Sequence, residues 1–272
     1  MKMSKKQKNL SIIIFAAAIV LIIAGIILTS GPTTSHESIQ TIMRDAVLHD
    51  ENKIDFFGIK EANPGLISAF YVTLLLIVFA LVVRIFVIPR FKYIPGKFQL
   101  ILEQAVSIFD NLAKSNSPHK NKFLGAYVFT AGTYIAVGTI FELFGVQAVT
   151  THGTPITLPA PLSDINGAIM IGCLSYIIIM SGGIAGNKLK GIGKTLKDFS
   201  LPISMSFRLF GALLSGALVT ELVYYYSSLS YVLPVVVGIL FTLLHAIIQT
   251  YVLTMLTALF YGEVSEPSHK KI

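Results

Sequence analysis

The sequence predicts an all-α polytopic membrane protein of about six membrane helices plus an amphipathic helix on the cytoplasmic face. Two observations carry this. Of the 272 residues, 54% are hydrophobic and only 13% charged, about half the charged fraction of an average soluble domain. The apolar residues also fall into runs near the roughly 20 needed to cross a bilayer as a helix. The chain divides into an N-terminal membrane helix or uncleaved signal-like anchor (1–30), an external polar segment (31–64) and a membrane domain (65–272).

The expected spans are Leu10 to Leu28, Gly65 to Pro89, Phe123 to Val149, Asn166 to Ile184, Phe199 to Tyr226 and Leu229 to Tyr261. The first has a lysine-rich start like a secretory signal. Its apolar run is longer than a signal's, and no small-residue cleavage site follows, which favours a retained helix. The last two spans exceed a minimal crossing, so they must tilt or lie partly along another subunit. Between Lys97 and Ala113, apolar residues recur at helical spacing among polar ones. That pattern fits a helix lying on the membrane surface and equally a linker helix between spans.

Positive residues accumulate in cytoplasmic loops. Here they cluster before the first span (Lys2, Lys5, Lys6, Lys8), between the second and third (Arg90, Lys92, Lys97, Lys114, Lys120, Lys122), between the fourth and fifth (Lys188, Lys190, Lys194, Lys197) and after the last (Lys270, Lys271). Six crossings place all four clusters on one side and both termini in the cytoplasm. No Lys or Arg occurs in Thr150 to Ile165 or near Ser227. The net charge of +7 is therefore a topology signal, and no nucleic-acid partner is expected.

Arg208 is the costly exception. It lies about 13 Å of helix from Phe199, too deep to reach water as Arg84 can. An arginine at the bilayer centre costs from about 2.5 to 17 kcal/mol depending on the method, so it should face an aqueous cavity or an acidic partner. The plainer alternative is a buried ion pair with Glu142 or Glu221 that only holds helices together. Ser204, Gly211, Ala212, Ser215 and Gly216 share its helix face, and small faces let another helix approach closely. On the last span Thr242, His245 and Gln249 fall on one face. In an antiparallel hairpin, the Gln249 amide would lie near the depth of Arg208. Glu221 points about 220° away from Arg208 and suits an external access path, with Glu142, Asp164 and Asn166 towards the same side. Asp164 is equally suited to capping a helix N-terminus.

The single cysteine, Cys173, excludes an intrachain disulfide. No Walker loop, HExxH, GxSxG or cysteine-pair metal motif is present. No catalytic residue, metal or cofactor is expected.

The stretch Pro202-Ile-Ser-Met-Ser-Phe-Arg208-Leu-Phe-Gly211, with Gln249-Thr-Tyr-Val-Leu-Thr-Met-Leu-Thr257 in the final span, resembles the a subunit of F-type ATP synthase. Leu158-Pro-Ala-Pro-Leu-Ser-Asp164-Ile-Asn166 is similar to the family's segment before a conserved helix. The resemblance runs from about Gly65 to Tyr261. It implies a non-catalytic stator subunit whose two long C-terminal helices lie against the c-subunit ring, with Arg208 facing the ring carboxylate. Two offset half-channels for H+ or Na+ would be completed by Gln249, Glu221, His245, Asp164, Asn166 and Glu142. It further implies b subunits of the peripheral stalk, the remaining F1F0 complex and a bacterial-type plasma membrane. Many members carry Asn four residues after the arginine, an acid nine after it, and some a His seven before the glutamine. This chain has Ala212, Ala217 and Thr242 there. The competing reading is a secondary transporter or channel that binds an anion at Arg208.

Overall fold

The computed structural model describes residues 5–29, 38–48, 53–56, 58–119, 121–226, 229–231 and 233–267. Lys2, Lys120, Ser227, Lys270 and Lys271, used above for topology, lie outside them. Six helices among the described residues are long and apolar enough to cross a membrane, and the chain is an all-α polytopic membrane protein.

Helix α1 (Lys5–Thr29) is apolar all round, and its span buries none of its surface within the chain. Helix α2 (Ile39–Leu48) is short and amphipathic and packs on the end of the penultimate span. A hairpin of β1 (Ile54–Phe56) and β2 (Ile59–Ala62) leads into α3 (Pro64–Val82). The α3 start is well specified, because the Asn63 side chain accepts the Gly65 N–H at 2.8 Å and a proline occupies the first turn, where its missing N–H costs nothing. The span continues through a π-helical stretch to Arg90.

Helix α4 (Lys97–Asn116) is the expected amphipathic element. Phe109, Leu112 and Ala113 of its second half pack into the bundle, while Phe98 and Ile101 of the first half stay exposed. Helix α5 (Lys122–Phe141) ends in a 3-10 turn at Phe144, short of the predicted Val149. Gly145 takes φ +59, a conformation that glycine adopts without steric cost and that stops the helix. The residues beyond it form an unforeseen hairpin of β3 (Gln147–Val149) and β4 (Pro155–Thr157).

The remaining helices are α6 (Ile165–Asn187), α7 (Leu189–Leu196), α8 (Ser200–Tyr225), α9 (Leu233–Val237) and α10 (Leu244–Ser265). A π-helical stretch, Gly238–Leu243, joins α9 to α10 into one 33-residue span. The penultimate span has 26 residues, so both final spans are longer than the roughly 20 residues of a straight crossing.

The main core lies among α5, α6, α8 and α10, around Leu124, Ile135, Ile179, Met205, Leu209 and Leu253. A smaller one, with Ile54, Ile67, Val72, Phe141 and Leu158, forms where the hairpins meet α3 and α5. The Thr151 N–H donates to the Lys53 carbonyl at 2.9 Å and ties the two hairpin regions together.

Helix α8 presses its Pro202, Met205, Ser206, Leu209 and Leu213 face on α6. The closest approach is at Gly172. A Cβ there would collide with Ser206 Oγ and stand 2.9 Å from the Pro202 carbonyl oxygen and 3.1 Å from the Ser206 nitrogen. Because two of these atoms are backbone, the helices would have to separate. Gly172→Ala should destabilise the chain by about 1–3 kcal/mol, the usual cost of overpacking. A lowered thermal midpoint of the detergent-solubilised protein would report it, and an unchanged midpoint would contradict this packing.

Candidate ion-translocation site

Burying one side of α8 on α6 leaves the opposite side free. Ser204, Phe207, Arg208, Gly211 and Ser215 are exposed there, and Ala212 is half-buried. A Cβ built on Gly211 would meet open space. The expected small-residue face therefore exists from Ser204 to Ser215, with no described helix closing over Gly211, whereas Gly216 is half-buried against Phe241 of the last span. Among the described residues Arg208 makes no hydrogen bond or ion pair. The purely structural pairing with Glu142 or Glu221 is thus absent, and the guanidinium stands on an exposed face without a partner among the described residues.

Along the last span, Thr242 of the π-helical stretch and Ala246, Gln249 and Leu253 of α10 form a buried stripe, as the shared face of Thr242 and Gln249 suggested. Gln249 makes no hydrogen bond to Arg208. The residue is largely buried, and its amide makes no hydrogen bond among the described residues. His245 also belongs to this helix. Its Nδ1 is buried without a hydrogen-bond partner, and its ring centroid lies 5.8 Å from that of Phe241.

The acids separate into two groups. Glu142 and Glu221 line one cavity of about 670 Å³, together with Ser163, Ala217, Thr220 and Thr242. The two carboxylates are close enough to repel each other. Thr220 is turned back on its own helix, its hydroxyl donating to the Gly216 carbonyl at 3.0 Å. Asp164 and Asn166 do not line this cavity. Asp164 is buried and caps α6, its Oδ1 accepting the Asn166 N–H at 2.7 Å, whereas Asn166 is exposed. His245 is likewise absent from the lining.

The lining reaches Leu214 on α8, about 9 Å along the axis from Arg208, and lies on the side of the helix away from the arginine. The sequence expectation that Glu142 lies towards the same side as Glu221 agrees with their shared cavity. Sequence reasoning missed Ser163, Thr220 and the α2 residue Ala46, which borders the same space.

The sequence matches the family described as ATP synthase A chain over residues 67–262. The chain belongs to the ATP synthase A chain family. Members are non-catalytic, ion-translocating membrane subunits of the ATP synthase complex. Similar proteins include the ATP synthase subunit a of Cereibacter sphaeroides, 24% identical over 192 residues that cover 66% of this chain and 74% of the relative. The ATP synthase subunit a of Histophilus somni is 25% identical over 196 residues, covering 61% of this chain and 73% of the relative. The family match takes in Arg208, Gln249 and both cavity carboxylates, and leaves α1, α2 and the first hairpin outside it.

Proposed function

We propose that the chain is the stator subunit against which a ring of c subunits turns, coupling H+ or Na+ flow to ATP synthesis or hydrolysis. The observation that carries this reading is Arg208 on an exposed, small-residue face with no partner in its own chain. An intramembrane cation so placed needs an anion from elsewhere, and a ring carboxylate gliding past the flat face of Ser204, Gly211, Ala212 and Ser215 would supply one in turn. Each carboxylate leaves the arginine only when an ion neutralises it, so the guanidinium blocks leakage without rotation. The uncommitted amide of Gln249 is available to steady either partner.

In this reading the Glu142 and Glu221 cavity is the external half-channel. Its carboxylates attract cations, and Thr242 supplies a hydroxyl where Ala217 supplies none. His245, with its unpartnered Nδ1, stands between that cavity and Gln249 along α10. Asp164 serves by holding the α6 start, and Asn166 lies near it. The second half-channel opens to the cytoplasm beside Arg208. Both termini are cytoplasmic, residues 1–30 form a retained helix, and α4 rests on the cytoplasmic face of a bacterial-type plasma membrane. The b subunits of the peripheral stalk hold the chain against the ring.

This reading differs from a self-sufficient anion transporter in a measurable way. Reconstituted alone into liposomes, the chain should pass neither cations nor anions above the lipid background. Reconstituted in the whole complex, it should support ATP-driven cation uptake. Arginine-dependent anion flux through the isolated chain would replace the stator reading with the transporter.

A further inference from the structure

The cavity that holds Glu142 and Glu221 is not built by the family-matched region alone. Ala46 of α2 lines it, beside Pro64, Thr220 and Tyr224, and α2 packs on the end of α8 that bears Glu221. The neighbouring Asp45 is near enough for its charge to act on Glu221. The polar segment that follows is anchored by the Thr151 to Lys53 hydrogen bond and by Ile54 and Ala62 in the smaller core. The segment is therefore fastened to the membrane domain beside Ile156 and Leu158, which also line the cavity.

We propose that α2 forms the outer wall of the ion inlet, so that ions bound for Glu221 pass beside Ala46. This rests on the reading of the cavity as the external half-channel. The amphipathic pattern of α2 supports it. Ile39, Met43 and Ala46 recur at helical spacing and are half-buried, while Gln40, Thr41 and Arg44 are exposed. Ala217 supplies no acid nine residues after the arginine, and α2 brings the Asp45 carboxylate within electrostatic reach of Glu221.

The test uses the whole complex in right-side-out vesicles, in a Cys173→Ser background that removes the one native thiol. Ala46→Cys is compared with Thr220→Cys, on the α8 side of the same cavity, and with Gln40→Cys, on the exposed side of α2. A membrane-impermeant cationic methanethiosulfonate is added outside, and labelling is read by mass spectrometry. Synthesis of ATP driven by an imposed ion gradient is then measured.

Labelling at position 46 with loss of most synthesis, and no loss at position 40, is the expected result. Labelling at 46 without loss, or no labelling there, overturns the α2 wall. If position 220 is then blocked by the reagent, the cavity still stands as the inlet and only the role of α2 fails. If neither modification slows synthesis, the half-channel reading of the cavity fails with it. A bulky Ala46→Phe variant gives a second measure that needs no reagent. It should lower synthesis while the complex remains assembled in the membrane, and normal synthesis counts against the proposal.

Discussion

Arg208→Ala abolishes ATP-driven ion pumping and ion-driven ATP synthesis, with the complex still assembled. The expectation of normal assembly comes from the site itself. Arg208 is exposed, belongs to no ion pair among the described residues and contributes nothing to the packing of α8 on α6. Removing a charge from a membrane span also relieves a cost of at least about 2.5 kcal/mol, so the variant chain should insert at least as well as the parent. The functional loss follows from electrostatics. Without the guanidinium nothing obliges a ring carboxylate to exchange its ion before passing, and flow separates from rotation. Arg208→Lys keeps the charge but loses the planar fork that engages a carboxylate at two points, so it should retain a small fraction of coupling. The measurement is ATP-driven ion uptake in inverted vesicles, with immunodetection of the assembled complex. Uptake at the parental rate in Arg208→Ala vesicles would end the mechanism.

The second large effect is at the paired carboxylates. Glu221→Gln should slow pumping about a hundredfold, the low end of what a positioned acid or base contributes to proton transfer. Glu142→Gln should slow it less, because Glu142 acts through the charge it shares with Glu221. The double substitution should cost less than the product of the two single effects. Residues that share one network are not additive, and these two face each other in one cavity. Pumping rate against ATP concentration, with hydrolysis by the detached catalytic sector as a control, separates a slowed inlet from a damaged complex. If both single variants pump like the parent, ions reach the ring by another route.

Much of this was legible from residue order because hydrocarbon imposes a strict length and composition on anything that crosses it. The spans ending near Leu28, Pro89 and Tyr226 fall within a residue or two of the helix ends. Arg208 stood out for the same reason, as a charge with no nearby water, and the small face followed from helical periodicity.

The failures have equally definite causes. The apolar run past Phe144 continued the hydropathy of α5, and only Gly145 signalled the reversal. Helix α2 was readable in the spacing of Ile39, Met43, Ala46 and Val47, but it is too short and too polar to register as a span. The place of Ala46 beside Glu142 and Glu221 depends on how α2 packs on α8, and the π-helical stretch Gly238–Leu243 has no periodic signature of its own. Neither is encoded locally.

The glycine contact between α6 and α8 has a mechanical meaning. A ring turning against α8 drags sideways on it at every step, and a helix free to yield would let the ring slip past with its load undelivered. At Gly172, α8 rests almost backbone on backbone against α6, leaving no long side chain to flex between them. Helix α6 in turn bears on α10, where a Cβ at Gly182 would strike the Tyr261 ring at 2.6 Å. Thrust on the exposed face is therefore passed through stiff contacts into the rest of the bundle, as a bearing race passes load to its housing.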